Sequence, residues 1–142
     1  MASAAEHITI PAPADTVWRT VRDFGSVDEY VPPIARAELS GEGIGAERTL
    51  TLDDGARVVE RLDALDDDAR TLRYSIVEAP LPVEEYTSTL SVERIDATSC
   101  RVTWASEFTV VDAPNAEVEA TFAALYAAGL EGLKNRHAAH SA

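Results

Sequence analysis

Two charged residues, Arg48 and Glu60, have the types and the spacing in this sequence to do chemistry together. They lie in the segment RTLTLDDGARVVERL, where apolar and polar residues alternate on both sides of DDG. The alternation predicts two short antiparallel strands, and both charges fall on the apolar side of the pattern. Burial in an apolar pocket raises the pKa of a carboxyl, whereas a neighbouring arginine lowers it. The pair is a candidate acid/base or a polar anchor for a ligand, but also a candidate structural ion pair, which is the commoner case.

The length of the turn decides whether the two charges face each other. A three-residue loop, Asp53–Gly55, with its glycine in the left-handed conformation, places Arg48 opposite Glu60 and Leu50 opposite Val58. A two-residue loop would pair the apolar face of one strand with the polar face of the other, which a sheet with one buried side disfavours. We therefore predict the three-residue loop, with the two charged side chains as inward-facing neighbours within direct or one-water reach.

The elements that position this pair follow from the patterning of the whole chain. A strand, Glu6–Ile10, precedes a helix in PADTVWRTVRDF and a second short helix in SVDEYV, which ends at two prolines. Closely spaced turn residues then separate six alternating segments, which predicts an antiparallel meander. The six predicted strands are Ala35–Ser40, Ala46–Leu52, Ala56–Leu65, Arg70–Glu78, Glu84–Arg94 and Cys100–Val110. A long helix from Asn115 to about His137 follows, so the fold class is α+β with a curved sheet around this helix.

Composition limits the possible partners. The 142 residues, 46% of them hydrophobic, suit a single domain spanning 1–142 with its own core. A net charge of −13 repels phosphate backbones and anionic membrane surfaces, so neither nucleic acid nor a membrane is an expected partner.

Cys100 is the single cysteine, which excludes an internal disulfide, and we expect it to be packed in its strand. The start of the chain has no signal-peptide pattern and no apolar run reaches ~18 residues, so we expect a cytoplasmic protein.

Alternation along the strands also predicts which side chains face the long helix. The apolar ones are Leu50, Val58, Leu62, Ile76, Leu90 and Phe108. The polar or amphipathic ones, besides the charged pair, are Tyr74, Tyr86, Ser88, Trp104 and Ser106. The long helix contributes Phe122, Leu125 and Gly129. A mostly apolar surface with a few polar groups is typical of a ligand pocket, so we predict that these residues line one.

Small residues in the long helix, TFAALYAAGLEGLK, bear on the same question. Each mid-helix glycine costs roughly 1 kcal/mol of helix stability relative to alanine, so the presence of glycines here requires a structural explanation. A slim helix would leave volume unfilled against a concave sheet, although close packing of helix on sheet uses small residues too. The polar groups on the inner face favour the cavity.

Three further patterns are candidates for cofactor or metal sites, and we predict neither a cofactor nor a metal. GEGIGA echoes a phosphate-binding loop, but a strand follows it and it has no lysine, so we predict a flexible loop at the pocket mouth. His7, His137 and His140 lie near the termini and form no metal-binding pattern with Cys100. The acidic run Asp66–Asp68 lacks the ligand spacing of a calcium loop.

Five stretches spread over nearly the whole chain carry a resemblance to a known family. They are APADTVWRTVRDFGSVDEYVPPI, GEGIGAERTL, VVERLDALDDDARTLRYSIVEAPLPVEEY, RVTWASEFT and GLEGLK. Together they resemble the START-like, birch-pollen-allergen-like (SRPBCC) superfamily, and within it the polyketide cyclase/dehydrase branch. The resemblance implies a helix-grip fold: a curved antiparallel sheet of about seven strands around a long C-terminal helix, two short helices after the first strand, and an internal cavity. The family has no universal catalytic motif and its fold hosts several functions, so no catalytic residue is transferred.

We expect binding of a small, largely apolar ligand, which the resemblance implies to be polyketide-like or aromatic. If the protein catalyses a reaction, the chemistry is cyclisation or dehydration by proton transfer. Glu60 would then be the acid/base, Arg48 would orient it and polarise a carbonyl, and Tyr74 and Tyr86 would donate hydrogen bonds. The tyrosines are equally candidates for half-buried core residues. The alternatives are a non-catalytic carrier or sensor of hydrophobic ligands, and a regulatory interaction protein; the chain is expected to be a monomer or homodimer.

Overall fold

The structure, a computed structural model, describes residues 1–138 of the chain. Seven strands form one antiparallel sheet in the order β1-β7-β6-β5-β4-β3-β2. The strands are β1 (Ala2–Ile10), β2 (Ile34–Ser40), β3 (Glu47–Leu52), β4 (Arg57–Asp66), β5 (Thr71–Glu78), β6 (Val83–Asp96) and β7 (Ser99–Val110). The helices are α1 (Ala14–Arg22), a 3₁₀ helix (Phe24–Glu29) and α2 (Asn115–Ala138). This is the predicted architecture, with the meander from β2 to β7 closed onto β1 at the far edge of β7.

The two short helices connect the ends of the sheet. In α1, Val17, Trp18 and Val21 are buried and so form one apolar stripe, which lies against β6 and β7. Asp15 in its first turn and Arg22 in its last turn match the helix dipole. The 3₁₀ helix and the residues after it lead the chain across to β2, at the opposite edge of the sheet from β1.

The long helix α2 packs on β1 and β7 through one face. Its buried residues recur at intervals of three or four: Val118, Phe122, Tyr126, Leu130 and Leu133. This spacing is that of a single helical stripe facing the sheet. No helix in residues 1–138 is long and apolar enough to cross a membrane.

The β3–β4 hairpin has the predicted three-residue loop. Gly55 has φ +88° and its N–H donates to the Leu52 carbonyl at 2.9 Å. Arg48 consequently pairs with Glu60 in the ladder, and both side chains are buried. The expected register and the inward direction of the two charges are confirmed.

The first strand is longer than predicted, because it begins at Ala2 and not at Glu6. Its alanines carry little alternation in hydrophobicity, yet Ala2 and Ala4 are buried where β1 pairs with β7. The Ser3 N–H also donates to Glu119 of α2 at 2.9 Å, which holds the start of the strand against the helix. Cys100 is fully buried in β7, as expected.

Candidate functional site

A cavity of about 300 Å³ lies between the sheet and the N-terminal half of α2. Of the predicted lining residues, six on the strands line it besides the charged pair: Leu50, Val58, Tyr74, Ile76, Tyr86 and Trp104. Phe122 and Leu125 line it from α2. The predicted cavity is therefore present, and its wall is almost entirely apolar or aromatic.

The ion pair of Arg48 and Glu60 is the polar feature of this wall. Arg48 Nε donates to Glu60 Oε1 at 2.8 Å, and Arg48 Nη2 lies 2.7 Å from the same oxygen. Nη1 donates to the carbonyl oxygen of Phe24 at 3.0 Å. The Phe24 and Tyr74 rings lie 3.8 Å and 4.8 Å from the guanidinium carbon, so the guanidinium contacts two aromatic rings.

Burial governs the electrostatics of the pair, since Arg48 is 3% and Glu60 6% exposed. Burial raises the pKa of the Glu60 carboxyl, and the Arg48 guanidinium offsets only part of that rise. For Arg48, burial acts to lower the pKa, but the Glu60 carboxylate together with the Tyr74 and Tyr30 side chains raises it by more, so the net pKa is raised and the guanidinium stays protonated. The carboxyl is thus held in one position by Arg48 while its proton affinity is increased.

Hydroxyl groups on the aromatic side of the cavity form a network with the residues behind them. Trp104 Nε1 donates to Ser88 Oγ at 2.9 Å and to the Tyr74 hydroxyl at 3.1 Å. The Tyr126 hydroxyl donates to Ser106 Oγ at 2.7 Å and is also hydrogen-bonded to the Tyr86 hydroxyl. The network holds the Trp104 and Tyr86 side chains in place in the cavity wall.

Six residues predicted to line the pocket do not line it: Leu62, Ser88, Leu90, Ser106, Phe108 and Gly129. The two serines are buried in the hydroxyl network behind the wall. Phe108 lies behind the rings of Tyr86 and Phe122, with centroids 5.8 Å and 5.0 Å away. Strand alternation gave the correct side of the sheet for these residues, but it carries no information on depth.

The other three corrections concern the far end of the sheet and the helix packing. Leu62 lies in a separate groove beside α1, and Leu90 is buried in β6, the strand against which α1 packs. A Cβ on Gly129 would lie 2.8 Å from Cζ3 of Trp104, so this glycine permits close packing of α2 on β7. Two explanations for the small residues of α2 followed from the sequence, an unfilled volume and close helix–sheet packing. At Gly129 the explanation is close packing.

Sequence reasoning missed nine residues of the wall. Four come from the stretch that runs from the 3₁₀ helix into the start of β2, namely Val27, Val31, Pro33 and Ile34. Leu81 and Pro82 come from the β5–β6 loop, Leu52 from the hairpin, and Val118 and Thr121 from α2. The loop residues have no periodicity to detect. The apolar runs VPPI and PLPV, unusual for exposed loops, could have identified them.

The glycine loop GEGIGA does not line this cavity; Gly43 instead lines the separate groove beside α1. Its predicted position at the pocket mouth is wrong, because the β2–β3 loop lies at the other end of the strands. Within residues 1–138 no group of three or more His, Cys, Asp or Glu side chains could hold a metal ion. His140 lies outside the described residues.

A family model described as "Polyketide cyclase / dehydrase and lipid transport" matches residues 1–138. The chain belongs to this family. Among curated relatives of this family member, the abscisic acid receptor PYL2 of Arabidopsis thaliana is 34% identical over 117 residues. That match covers 78% of this chain and 62% of the receptor, so the chain spans about three fifths of the relative's length.

Solved structures agree on the fold of this polyketide cyclase/dehydrase family member. The protein XoxI from Bacillus cereus superposes with a TM-score of 0.90 at 31% identity, covering 96% of this chain and 95% of XoxI. The Zhui aromatase/cyclase of a Streptomyces species gives a TM-score of 0.80 at 21% identity, covering 94% and 92% of the two chains. The expected helix-grip fold is confirmed, and the chain is a helix-grip protein with an apolar cavity between its sheet and its long helix.

Proposed function

We propose that the protein binds a small aromatic or polyketide-like molecule in the cavity between the sheet and α2. The observation that carries the proposal is an open volume of about 300 Å³ whose wall contains a single ion pair among apolar and aromatic side chains. Apolar surface buried there gains roughly 25 cal/mol per Å², which supplies the affinity. The volume is at the lower end for ligand pockets, which favours a compact ring system over a long-chain lipid.

The aromatic residues of the wall support a ligand with flat rings. Tyr86 and Phe122 have ring centroids 5.1 Å apart, and Trp104 stacks at 4.5 Å on Tyr126, which lies behind the wall. Aromatic groups arranged in this way offer both faces and edges to a bound ring. The family description and the aromatase/cyclase with the same fold are consistent with such a ligand.

Catalysis of a cyclisation or dehydration is a second candidate function, and Glu60 favours it. A buried carboxyl with a raised pKa, held by one oxygen, is suited to accept and return a proton. In a dehydration, Glu60 would take a proton from carbon beside a carbonyl as the double bond forms. The same carboxyl would then give that proton to the departing hydroxyl, which leaves as water. Arg48 would position Glu60, because each of its three nitrogens already has a protein partner.

A carrier or sensor would use the same cavity without turnover. The relationship with a protein named as an abscisic acid receptor supports the sensor function. Carrier, sensor and enzyme share the binding step, so that step is the one to test first.

A pair of neighbouring valines on β4 offers a matched test of binding. Val58 lines the cavity, and Val59 is the next residue along the strand and faces away from it. We expect naphthalene to raise the melting temperature of the wild type and of Val59→Phe, but not of Val58→Phe, whose ring occupies the cavity. Calorimetric titration of the three proteins should give the same order. Binding that survives unchanged in Val58→Phe, or no binding to any of the three, would refute the proposal.

A further inference from the structure

We infer that the cavity selects neutral ligands carrying a hydrogen-bond donor, an alcohol or a phenol, and that Oε2 of Glu60 accepts that hydrogen bond. The inference rests on the proposed binding function and specifies the chemical class of its ligand. It follows from the polar atoms of the wall that remain unpaired and from the balance of charge around them.

The unpaired atom is Oε2 of Glu60. Both contacts from Arg48 reach Oε1, and no residue in 1–138 donates a hydrogen bond to Oε2. The Glu60 side chain is only 8% exposed, but it lines the cavity. Its Oε2 is not among the polar atoms that protein encloses without a hydrogen-bond partner. Oε2 is therefore an acceptor directed at the open volume. An ionised acceptor of this kind makes a stronger hydrogen bond than a neutral one.

Several donors in the same wall already have protein acceptors. The Trp104 indole N–H is bound to Ser88 and Tyr74. Because the Tyr126 hydroxyl donates to Ser106, the Tyr86 hydroxyl is the donor in the hydrogen bond between Tyr86 and Tyr126. Thr121 Oγ1 donates to the Glu117 carbonyl at 3.0 Å. Arg48 donates through Nε to Glu60 and through Nη1 to the Phe24 carbonyl, Nη2 lies 2.7 Å from the Glu60 carboxylate, and the aromatic rings of Phe24 and Tyr74 lie against the guanidinium.

The charge balance of the wall disfavours an ionised ligand of either sign. Arg48 and Glu60 are its charged residues, and they neutralise each other at 2.7 Å. A ligand carboxylate would bring a second negative charge to Oε2 without another cation in the wall, and an ammonium group would add an unbalanced positive charge beside Arg48. Burying an unpaired charge carries a large desolvation cost, whereas a neutral hydroxyl avoids it and satisfies Oε2.

Four probes with one ring system test the inference in the wild-type protein: 2-naphthol, 2-methoxynaphthalene, 2-acetylnaphthalene and 2-naphthoate. The first is a neutral donor, the next two are neutral acceptors, and the last is an anion at neutral pH. We expect 2-naphthol to bind about tenfold or more tightly than either neutral acceptor, as for a hydrogen bond to a charged group. The anion 2-naphthoate should bind most weakly. Calorimetric titration of each probe measures the order.

Several results would overturn the inference while leaving the binding function intact. Equal affinity for 2-naphthol and 2-methoxynaphthalene would show that Oε2 makes no contact. Tighter binding of 2-acetylnaphthalene than of 2-naphthol would assign the polar contact to the free edge of Arg48, and tighter binding of 2-naphthoate would show that the wall accepts anions. Failure of all four probes to bind, together with naphthalene, would refute the binding function itself and the inference with it.

Glu60→Gln provides a second, independent test. The amide oxygen should stay with Arg48, so the amide NH₂ would replace the acceptor by a donor. We expect the preference to invert, with 2-acetylnaphthalene gaining affinity and 2-naphthol losing about tenfold. Glu93→Gln, the same substitution at an exposed position of β6, is the matched control and should keep the wild-type order. An unchanged order in a folded Glu60→Gln protein would contradict the role of Oε2.

Discussion

Gly132 of α2 lies against the backbone carbonyl of Tyr30, so closely that a Cβ at this position would overlap the carbonyl oxygen. The contact fixes the helix to the segment that follows the 3₁₀ helix. That segment supplies Val31 to the cavity wall and also to the close contact at Gly129. The glycines of α2 therefore set the distance between the helix and one wall of the cavity.

Gly132→Ala should destabilise the protein, although alanine is the better helix former. The substitution gains about 1 kcal/mol in helix propensity but forces backbone to move, and overpacking of this kind costs about 1–3 kcal/mol or more. Urea unfolding should show a lower free energy of unfolding than in the wild type. Ala127→Gly, at an exposed position of the same helix, should cost about 1 kcal/mol through propensity alone. A rise in stability in Gly132→Ala would contradict the contact.

The β3–β4 hairpin shows how much of the site the sequence could predict. Turn chemistry at Gly55 and the two-residue period of strands are local, and together they identified Arg48 and Glu60 as inward neighbours. Whether an inward side chain meets the cavity, the hydroxyl network or another ring depends on what packs above it. That information is not local, and so Ser88 and Phe108 were placed on the correct side of the sheet but at the wrong depth.

Tyr126 is the part of the site that sequence patterning could not indicate. It occupies a buried helix position where a core residue is expected, and its function in the network depends on partners 20 and 40 residues away. A tyrosine at a buried helical position needs a hydrogen-bond partner, which is the one general signal that was available.

Tyr126→Phe should destabilise the protein more than Tyr86→Phe. Loss of the Tyr126 hydroxyl leaves both the Ser106 hydroxyl and the Tyr86 hydroxyl buried without this partner, at a cost of about 1–3 kcal/mol for each unpaired group. Loss of the Tyr86 hydroxyl leaves the bond from Tyr126 to Ser106 in place. Denaturant unfolding of both variants measures the difference. Equal costs, or a larger cost for Tyr86→Phe, would show that the hydroxyls do not form one connected network.

Alkaline titration should reveal the burial of all four tyrosines of the chain. Burial raises the pKa of Tyr30 and Tyr126 to about 12, and raises those of Tyr74 and Tyr86 well above 10. The native state therefore keeps phenol protons that the unfolded chain loses near pH 10. Stability from these groups is complete below about pH 10 and is lost as the pH rises through the folded values.

The measurement is the phenolate absorbance followed together with circular dichroism. We expect little phenolate in the native protein near pH 10, and then a cooperative rise that coincides with loss of the native spectrum. Titration of even one tyrosine near pH 10 with the native spectrum unchanged would show that its hydroxyl is accessible to water.

The last prediction separates the contribution of Arg48 to the fold from that of Glu60. Arg48→Met leaves the Glu60 carboxyl buried without its cation, and breaking a fully buried pair costs about 3–5 kcal/mol. Because Glu60 lines the cavity, water can reach the carboxylate, and we expect a cost below that range.

The pH dependence of this cost identifies Glu60 as its source. The pKa of Glu60 is already raised by burial, and removing the guanidinium raises it further. A folded pKa above the unfolded value gives stability that is complete below the unfolded pKa and is lost as the pH rises through the folded one. The melting temperature of Arg48→Met should therefore fall further below that of the wild type as the pH rises from roughly 5 to 8.

Adding Glu60→Gln to Arg48→Met should remove this pH dependence and recover part of the stability, because the amide carries no charge to bury. A penalty that is constant across this pH range, or a double variant no more stable than Arg48→Met, would show that Arg48 stabilises the protein through its contacts with Phe24 and Tyr74 and not through the carboxylate.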